Sequence, residues 1–98
     1  MNTPIRLLPE AREEYDAAAD WDEAKQAGLG VDFIARVRAV FERISTNPRI
    51  HAKVYGDVRK AVVKRFPYII PYREDADEVI VVSVFHTSRD PSIWQARA

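Results

Sequence analysis

The sequence predicts one α+β domain in which a strand and two helices precede three strands and a short C-terminal helix. Between residues 10 and 46 apolar residues recur every three or four positions, as on one face of an α-helix. From residue 58 the period changes to two, which is typical of β-strands. The predicted order is therefore β-α-α-β-β-β. A chain of 98 residues is long enough for one domain and too short for two, so residues 1–98 are predicted to form a single domain.

The N-terminal half contains the first strand and both long helices. Residues 5–8 are predicted to form a short strand, and Pro9 suits the first position of a helix, where no N–H is needed. An amphipathic helix is predicted over about 10–26 and a second over about 31–46. A Gly-Leu-Gly turn joins them, which makes an antiparallel helical hairpin. The predicted buried stripes consist of Ala11, Tyr15, Ala18 and Ala19, then Phe33, Ile34, Val37, Val40, Phe41 and Ile44.

Three strands are predicted after a loop that follows the second helix. The first covers 58–66 and the next 68–73, because Pro67 forces a turn between them. Residues 74–78 are predicted to form a hairpin loop. Residues 79–85 are apolar on both faces and are predicted to form a strand that is central or covered. Pro71 lacks a donor for its strand, so we expect a bulge or an unpaired N–H there.

The last residues predict a short helix that must dock on the rest of the domain. Asp90 is a good N-cap and Pro91 a good first helical residue. A helix of about eight residues is not stable alone, so Trp94 is expected to pack against the domain.

The composition excludes several classes of protein. The chain has no cysteine, which excludes disulfides and thiolate metal sites, and its two histidines have no metal-ligand spacing. It has no glycine-rich phosphate loop and no serine nucleophile motif, so no cofactor or metal is predicted. No signal peptide is visible, and the longest apolar run is far shorter than a membrane span. The sequence therefore predicts a soluble, cytoplasmic domain without a membrane partner.

The charges are unevenly distributed although the formal net charge is zero. Residues 49–73 contain seven basic residues and one acidic residue, Asp57. Such density indicates an acidic partner, either a protein segment or a nucleic-acid backbone. A solvated sheet face is the alternative that charge alone leaves open.

An ordered set of short motifs resembles the ParE/RelE superfamily of bacterial toxins. The set begins within residues 62–70, where a basic pair is followed by Phe-Pro-Tyr and by an apolar strand. Tyr72-Arg73 comes next. It continues with a strand that ends in an apolar residue and His86, then Arg89-Asp90-Pro91 and Trp94. The resemblance implies the toxin of a type II toxin–antitoxin system. Its fold would be a helical hairpin packed on one face of a small, mainly antiparallel sheet.

The resemblance also implies partners and two classes of activity. A cognate antitoxin would bind the toxin tightly as a hetero-oligomer, and operator DNA would be contacted indirectly, through the antitoxin. ParE-like members are expected to inhibit DNA gyrase without hydrolytic chemistry, which would fit a role in plasmid stabilisation. RelE-like members cleave mRNA on the ribosome. A degenerate member would keep antitoxin binding and lose toxicity.

The residues favour the non-enzymatic ParE-like class. Cleaving RNA through its own 2′-hydroxyl needs a base, an acid and cations on the phosphorane. Against the RelE pattern, Lys60 matches a basic position, and Tyr68 and Tyr72 match tyrosines. Neutral residues stand where RelE-like enzymes carry charge or a terminal tyrosine: Val62, Ile69, Thr87 and Ile93 or Trp94.

Two sets of site residues follow from the resemblance. A ribonuclease would use Lys60, Arg65, His86 and Arg89, although a lone histidine at a strand end more often has a structural role. The predicted antitoxin- or target-binding residues are Arg59, Lys64, Arg65, Tyr68, Tyr72, Arg73, Arg89 and Trp94. For Arg65 and Arg73, ion pairs with acids of the helical hairpin are the alternative. The two tyrosines are alternatively core or rim residues, and Trp94 an anchor for the tail.

Overall fold

A helical hairpin covers one face of a β-sheet in the computed structural model, which describes residues 2–98. The elements in chain order are β1 (Ile5–Leu7), α1 (Pro9–Lys25), α2 (Leu29–Thr46), β2 (Lys53–Tyr55), β3 (Val58–Val62), β4 (Tyr68–Asp75), β5 (Glu78–Val81), β6 (Phe85–His86) and α3 (Ser92–Gln95). The strand order is β1-β5-β4-β3-β2, and β6 pairs with β4. β1 is parallel to β5, whereas the pairings among β2 to β6 are antiparallel. The predicted α+β class and mainly antiparallel sheet are confirmed.

The two long helices cross closely at the turn that joins them. α2 begins at Leu29, two residues before its predicted start, and so includes Gly30. A Cβ atom on Gly30 would lie 2.6 Å from the carbonyl oxygen of Ala19, so this crossing requires glycine. The Glu23 carboxylate accepts hydrogen bonds from the backbone N–H groups of Gly28 and Gly30, at 2.9 and 3.0 Å. Glu23 thereby caps the start of α2 from the preceding helix.

The buried stripe of α2 is narrower than the predicted one. Its fully or almost fully buried apolar residues are Phe33, Val37, Val40 and Ile44. Ile34 and Phe41, both predicted in the stripe, are only partly buried and line a groove beside β1. The predicted stripe was therefore wider than the face of α2 that the sheet covers.

The strand prediction over 58–66 is too long. β3 ends at Val62, and the backbone N–H of Val63 donates to the carbonyl of Tyr68 to close a turn. Arg65 lies in this turn with φ +72°, a left-handed conformation that cannot continue a strand.

Two further boundaries differ from the prediction. β2 lies in the segment predicted as a loop and forms an exposed edge of the sheet. The predicted loop 74–78 is shorter than expected, because β4 and β5 extend into it and leave a turn at Ala76-Asp77.

The strand predicted over 79–85 is interrupted, which makes that prediction wrong. β5 ends at Val81 and β6 begins at Phe85. The backbone N–H of Val82 donates to the carbonyl of Pro71 at 2.8 Å, so Pro71 turns its hydrogen-bonding edge toward the interrupted segment. Pro71 has no N–H to offer there, and regular pairing fails. β4 has no bulge at Pro71, which pairs with Lys60 in regular register. The irregularity lies in the partner strand, between Val81 and Phe85.

The sheet separates two apolar clusters of unequal size. The larger lies between the hairpin and the sheet and includes Phe33, Ile44, Ile70, Tyr72 and Val81. The smaller lies on the far face, where Trp94 of α3 packs with Val58, Val82 and Phe85. No helix in the described part of the chain is long and apolar enough to cross a membrane.

Candidate functional site

Three of the predicted binding residues are engaged within the chain itself. Arg59 donates from its guanidinium to the backbone carbonyl of His51 at 2.7 Å. Tyr72 is fully buried, and its hydroxyl donates to the carbonyl of Pro48 at 2.8 Å. Burial is the main cause that raises the pKa of Tyr72. Arg73 lies 3.6 Å from Asp75, on its own strand rather than on the hairpin.

Lys60 and Lys64 are exposed. Lys60 lies on the face of β3 that points away from the helices, together with Val58 and Val62. Val62, between the two lysines, is itself 62% exposed. This strip of the far face therefore combines positive charge with accessible apolar surface.

A cleft of about 280 Å³ opens between α1 and β6, and the sequence predicts three of its residues as candidates. His86 and Tyr68 pack edge to face with ring centroids 5.0 Å apart, and Arg89 lines the same cleft. Nδ1 of His86 accepts a hydrogen bond from the backbone N–H of Ser88 at 3.0 Å, which places the proton of the neutral ring on Nε2. Burial is the main cause that raises the pKa of Tyr68.

The remaining wall of this cleft is supplied by α1. Ala17 and Ala18 leave the space open because their side chains are small. Trp21 flanks them and is 64% exposed, an unusual position for an indole on a helix of a small domain.

Glu14 connects the cleft to the C-terminal tail. Its carboxylate accepts hydrogen bonds from both terminal nitrogens of the Arg97 guanidinium, at 2.8 and 3.0 Å. It also accepts from Ser83 Oγ at 2.7 Å and from the backbone N–H of Val84 at 3.3 Å. Arg89 lies farther from it, at 3.4 Å. The hydrogen bond with Glu14 is the main cause that raises the pKa of Arg97, so this pair fixes the tail to α1.

The four candidate ribonuclease residues do not share one site. His86 faces the hairpin side of the sheet, since it pairs with Tyr68 of the larger cluster. Lys60 faces the opposite side. Arg65 occupies the β3–β4 turn, where it lines a separate cavity with Asp22. The structure brings together His86 and Arg89 alone out of the four.

Trp94 is 3% exposed and lies at the centre of the smaller cluster. Tyr55 of the edge strand packs against it edge to face, with centroids 5.9 Å apart. Trp94 therefore anchors the tail to the far face of the sheet.

The amino-acid sequence matches the family model described as ParE toxin of type II toxin-antitoxin system, parDE, over residues 5–91. The chain belongs to the ParE toxin family. This confirms the resemblance that the motifs predict. The ParE-like fold is similar to that of a chain from the chromosomal ParDE TA system from P. aeruginosa, with a TM-score of 0.75. The two are 14% identical, over 86% of this chain and 95% of the other. No curated protein matches the sequence.

The match to the ParE family ends at residue 91, before the two residues that fix the tail, Trp94 and Arg97. Glu14, Asp22 and Arg97 were not identified from the sequence. Asp22 continues the helical spacing of the buried stripe that starts at Ala11, and an acid at such a position was the available signal. Nothing local in the sequence pairs Glu14 with Arg97, which lies 83 positions away.

Proposed function

We propose that this ParE-family chain is a toxin that arrests growth by inhibiting DNA gyrase, without cleaving RNA. The observation that carries the proposal is the separation of Lys60 from His86 by the sheet. RNA cleavage needs cations arranged around one phosphorane, together with a base and an acid. Groups on opposite faces of a sheet cannot act on one phosphate.

The cations that contact Glu14, the carboxylate of the His86 cleft, support the same proposal. Arg97 is fully engaged by Glu14, and Arg89 has that carboxylate within 3.4 Å. Arg89 also lies over the ring of Phe85, 5.1 Å from its centroid. A developing negative charge in the cleft would therefore compete with an existing carboxylate.

A cognate antitoxin completes the proposal. The similar structure comes from a ParDE toxin–antitoxin system, and the basic segment 49–73 suits an acidic partner. The two proteins would form a hetero-oligomer in the cytoplasm, with operator DNA bound through the antitoxin. From the predicted set, Lys64, Arg65, Tyr68 and Arg89 are the side chains we propose for partner contacts.

Expression in a bacterial host tests the proposed function. We expect the chain alone to arrest growth, and co-expression of the protein encoded by the adjacent gene to restore it. Arrested cells should filament and induce a DNA-damage response, because gyrase inhibition blocks chromosome processing. Normal growth at verified soluble expression would contradict the proposal and leave a degenerate, antitoxin-binding protein.

A RelE-type ribonuclease is the second candidate, and one observation favours it. His86, Arg89 and Glu14 line the same cleft, so a base, a cation and a carboxylate are within one small site. The non-enzymatic proposal predicts that His86→Phe, which keeps a ring beside Tyr68, leaves growth arrest unchanged because no proton transfer is required. The measurement is colony growth with transcript mapping. The ribonuclease would be established instead if a folded His86→Phe protein lost its toxicity and the wild-type protein caused transcripts to be cut at ribosome-occupied positions.

A further inference from the structure

A second cavity lies at the C-terminal end of α1, where the helical hairpin meets the β3–β4 turn. It encloses about 300 Å³ and is separate from the His86 cleft. Its apolar wall is formed by Leu29, Phe66 and Pro67. The size and the wall suit one large side chain of a partner.

Asp22 lines this cavity, and its carboxylate has an unsatisfied oxygen. The residue is 5% exposed, and Oδ2 is buried without a hydrogen-bond partner among residues 2–98. Buried carboxylate oxygens are ordinarily hydrogen-bonded, because leaving one unsatisfied destabilises the fold. Burial raises the pKa of Asp22, and the charges of Lys25 and His86 oppose this effect. A donor that enters the cavity would therefore bind a carboxylate that lacks its full set of hydrogen bonds.

The other charged residues of the cavity determine the charge of the ligand. Lys25, Arg36 and Arg65 contribute three positive charges, and Asp32 contributes one negative charge. None of these four takes part in an ion pair in the described range. A cationic side chain would be repelled here, whereas acidic residues next to the inserted group would be attracted.

The backbone of Arg65 supports a role for its side chain. Its φ of +72° is strained for any residue with a Cβ atom, and glycine or asparagine would fit better. Glycine would form the same turn without this strain, so the turn itself does not require arginine. The exposed guanidinium of Arg65 at the mouth of the cavity therefore needs another reason to be there.

We propose that this cavity receives a tyrosine or tryptophan side chain from an acidic segment of the antitoxin. The aromatic body packs on Leu29, Phe66 and Pro67, and its hydroxyl or indole N–H donates to the carboxylate of Asp22. Neighbouring acidic residues of the segment pair with the rim cations, Arg65 first. The inference rests on the proposed function, since a toxin neutralised by its antitoxin exists mainly as the complex. The complex is then the state in which the carboxylate of Asp22 gains a donor from the partner.

The test is the dissociation constant of the complex between the full chain and the antitoxin encoded by the adjacent gene, measured by calorimetric titration. Asp22→Asn and Arg65→Gly should each weaken binding by about 10- to 100-fold, the range for a lost hydrogen bond to a charged group. Arg65→Gly should also reduce the dependence of binding on salt, and Arg65→Lys should restore much of the affinity.

Two control variants separate binding from backbone strain. Ala76 has a φ of +53° in the β4–β5 turn, so Ala76→Gly relieves the same kind of strain away from the cavity. Arg43→Ala removes an exposed cation of α2 that lies outside the basic segment 49–73 and does not line the cavity. Both should bind the antitoxin like the wild type, and both glycine variants should melt at or above the wild-type temperature.

Wild-type affinity in Arg65→Gly would overturn the inference, even if Asp22→Asn failed to fold. A weakening shared equally by Ala76→Gly or Arg43→Ala would overturn it too, because the effect would not belong to the cavity. Failure of the proposed function looks different: the wild-type chain would not arrest growth. If the wild-type chain is toxic and the antitoxin still fully neutralises the cavity variants, the inference about the cavity is refuted and the proposed function stands.

Discussion

Replacing Trp94 with alanine is expected to lower the free energy of unfolding by about 3–5 kcal/mol, the usual cost of truncating a large buried aromatic residue. Trp94 is 3% exposed and packs with Val58, Val82 and Phe85, so its removal leaves a cavity on the far face of the sheet. For a domain of this size each kcal/mol corresponds to roughly 4–8 °C in Tm. Thermal unfolding followed by circular dichroism should therefore show a fall of well over about 10 °C.

Two variants control for the chemistry of the indole and for changes in α3. Nε1 of Trp94 is buried without a hydrogen-bond partner in the described residues, so Trp94→Phe removes an unsatisfied donor and keeps a ring. Its Tm should fall much less than that of Trp94→Ala. Ile93→Ala changes a partly exposed neighbour on the same helix and should have a small effect. An unchanged Tm in Trp94→Ala, together with lost toxicity, would make Trp94 a target contact instead of an anchor.

Replacing Glu14 with alanine is expected to destabilise the domain by about 3 kcal/mol. The side chains of Glu14 and Arg97 are 14% and 16% exposed, so the effect belongs near the lower end of the cost of breaking a buried ion pair. The substitution also leaves Ser83 Oγ and the backbone N–H of Val84 without their acceptor, at the interruption between β5 and β6. Chemical denaturation would measure the loss, with an unchanged m value if the denatured state is unaffected.

A double-mutant cycle distinguishes the ion pair from local packing. Glu14→Gln keeps an acceptor for Ser83 and Val84 and removes the charge, so it should cost less than Glu14→Ala. Arg97→Ala alone should be destabilising, and adding it to Glu14→Ala should cost little more. Fully additive losses would mean that the two side chains do not act together.

The helices were predictable from the sequence because their apolar periodicity is strong over three turns or more. The strands were less predictable, and the reasons are local. The left-handed backbone conformation of Arg65 lies in a turn that ends β3 early, and no glycine stands there to indicate a turn. Pro71 indicates an irregularity in the sheet. Its position in the partner strand, between Val81 and Phe85, depends on which residues pair with Pro71, and the sequence does not show that.

The site was predictable in composition and less so in arrangement. His86 and Arg89 do lie together, because they flank the same short connection after β6. Lys60 and His86 lie on opposite faces because of which alternate residues of each strand face the helices. The interruption after Val81 shifts this alternation by one residue. A one-residue shift moves a side chain to the other face, so small errors in strand boundaries change a predicted site completely.

The most direct test of the proposed function is the supercoiling of relaxed plasmid DNA by purified gyrase in the presence of the purified chain. We expect the chain to block supercoiling and the antitoxin to restore it. In a parallel reaction, mRNA on translating ribosomes should remain intact. Full gyrase activity in the presence of excess folded chain, with transcripts cut on the ribosome, would contradict the account.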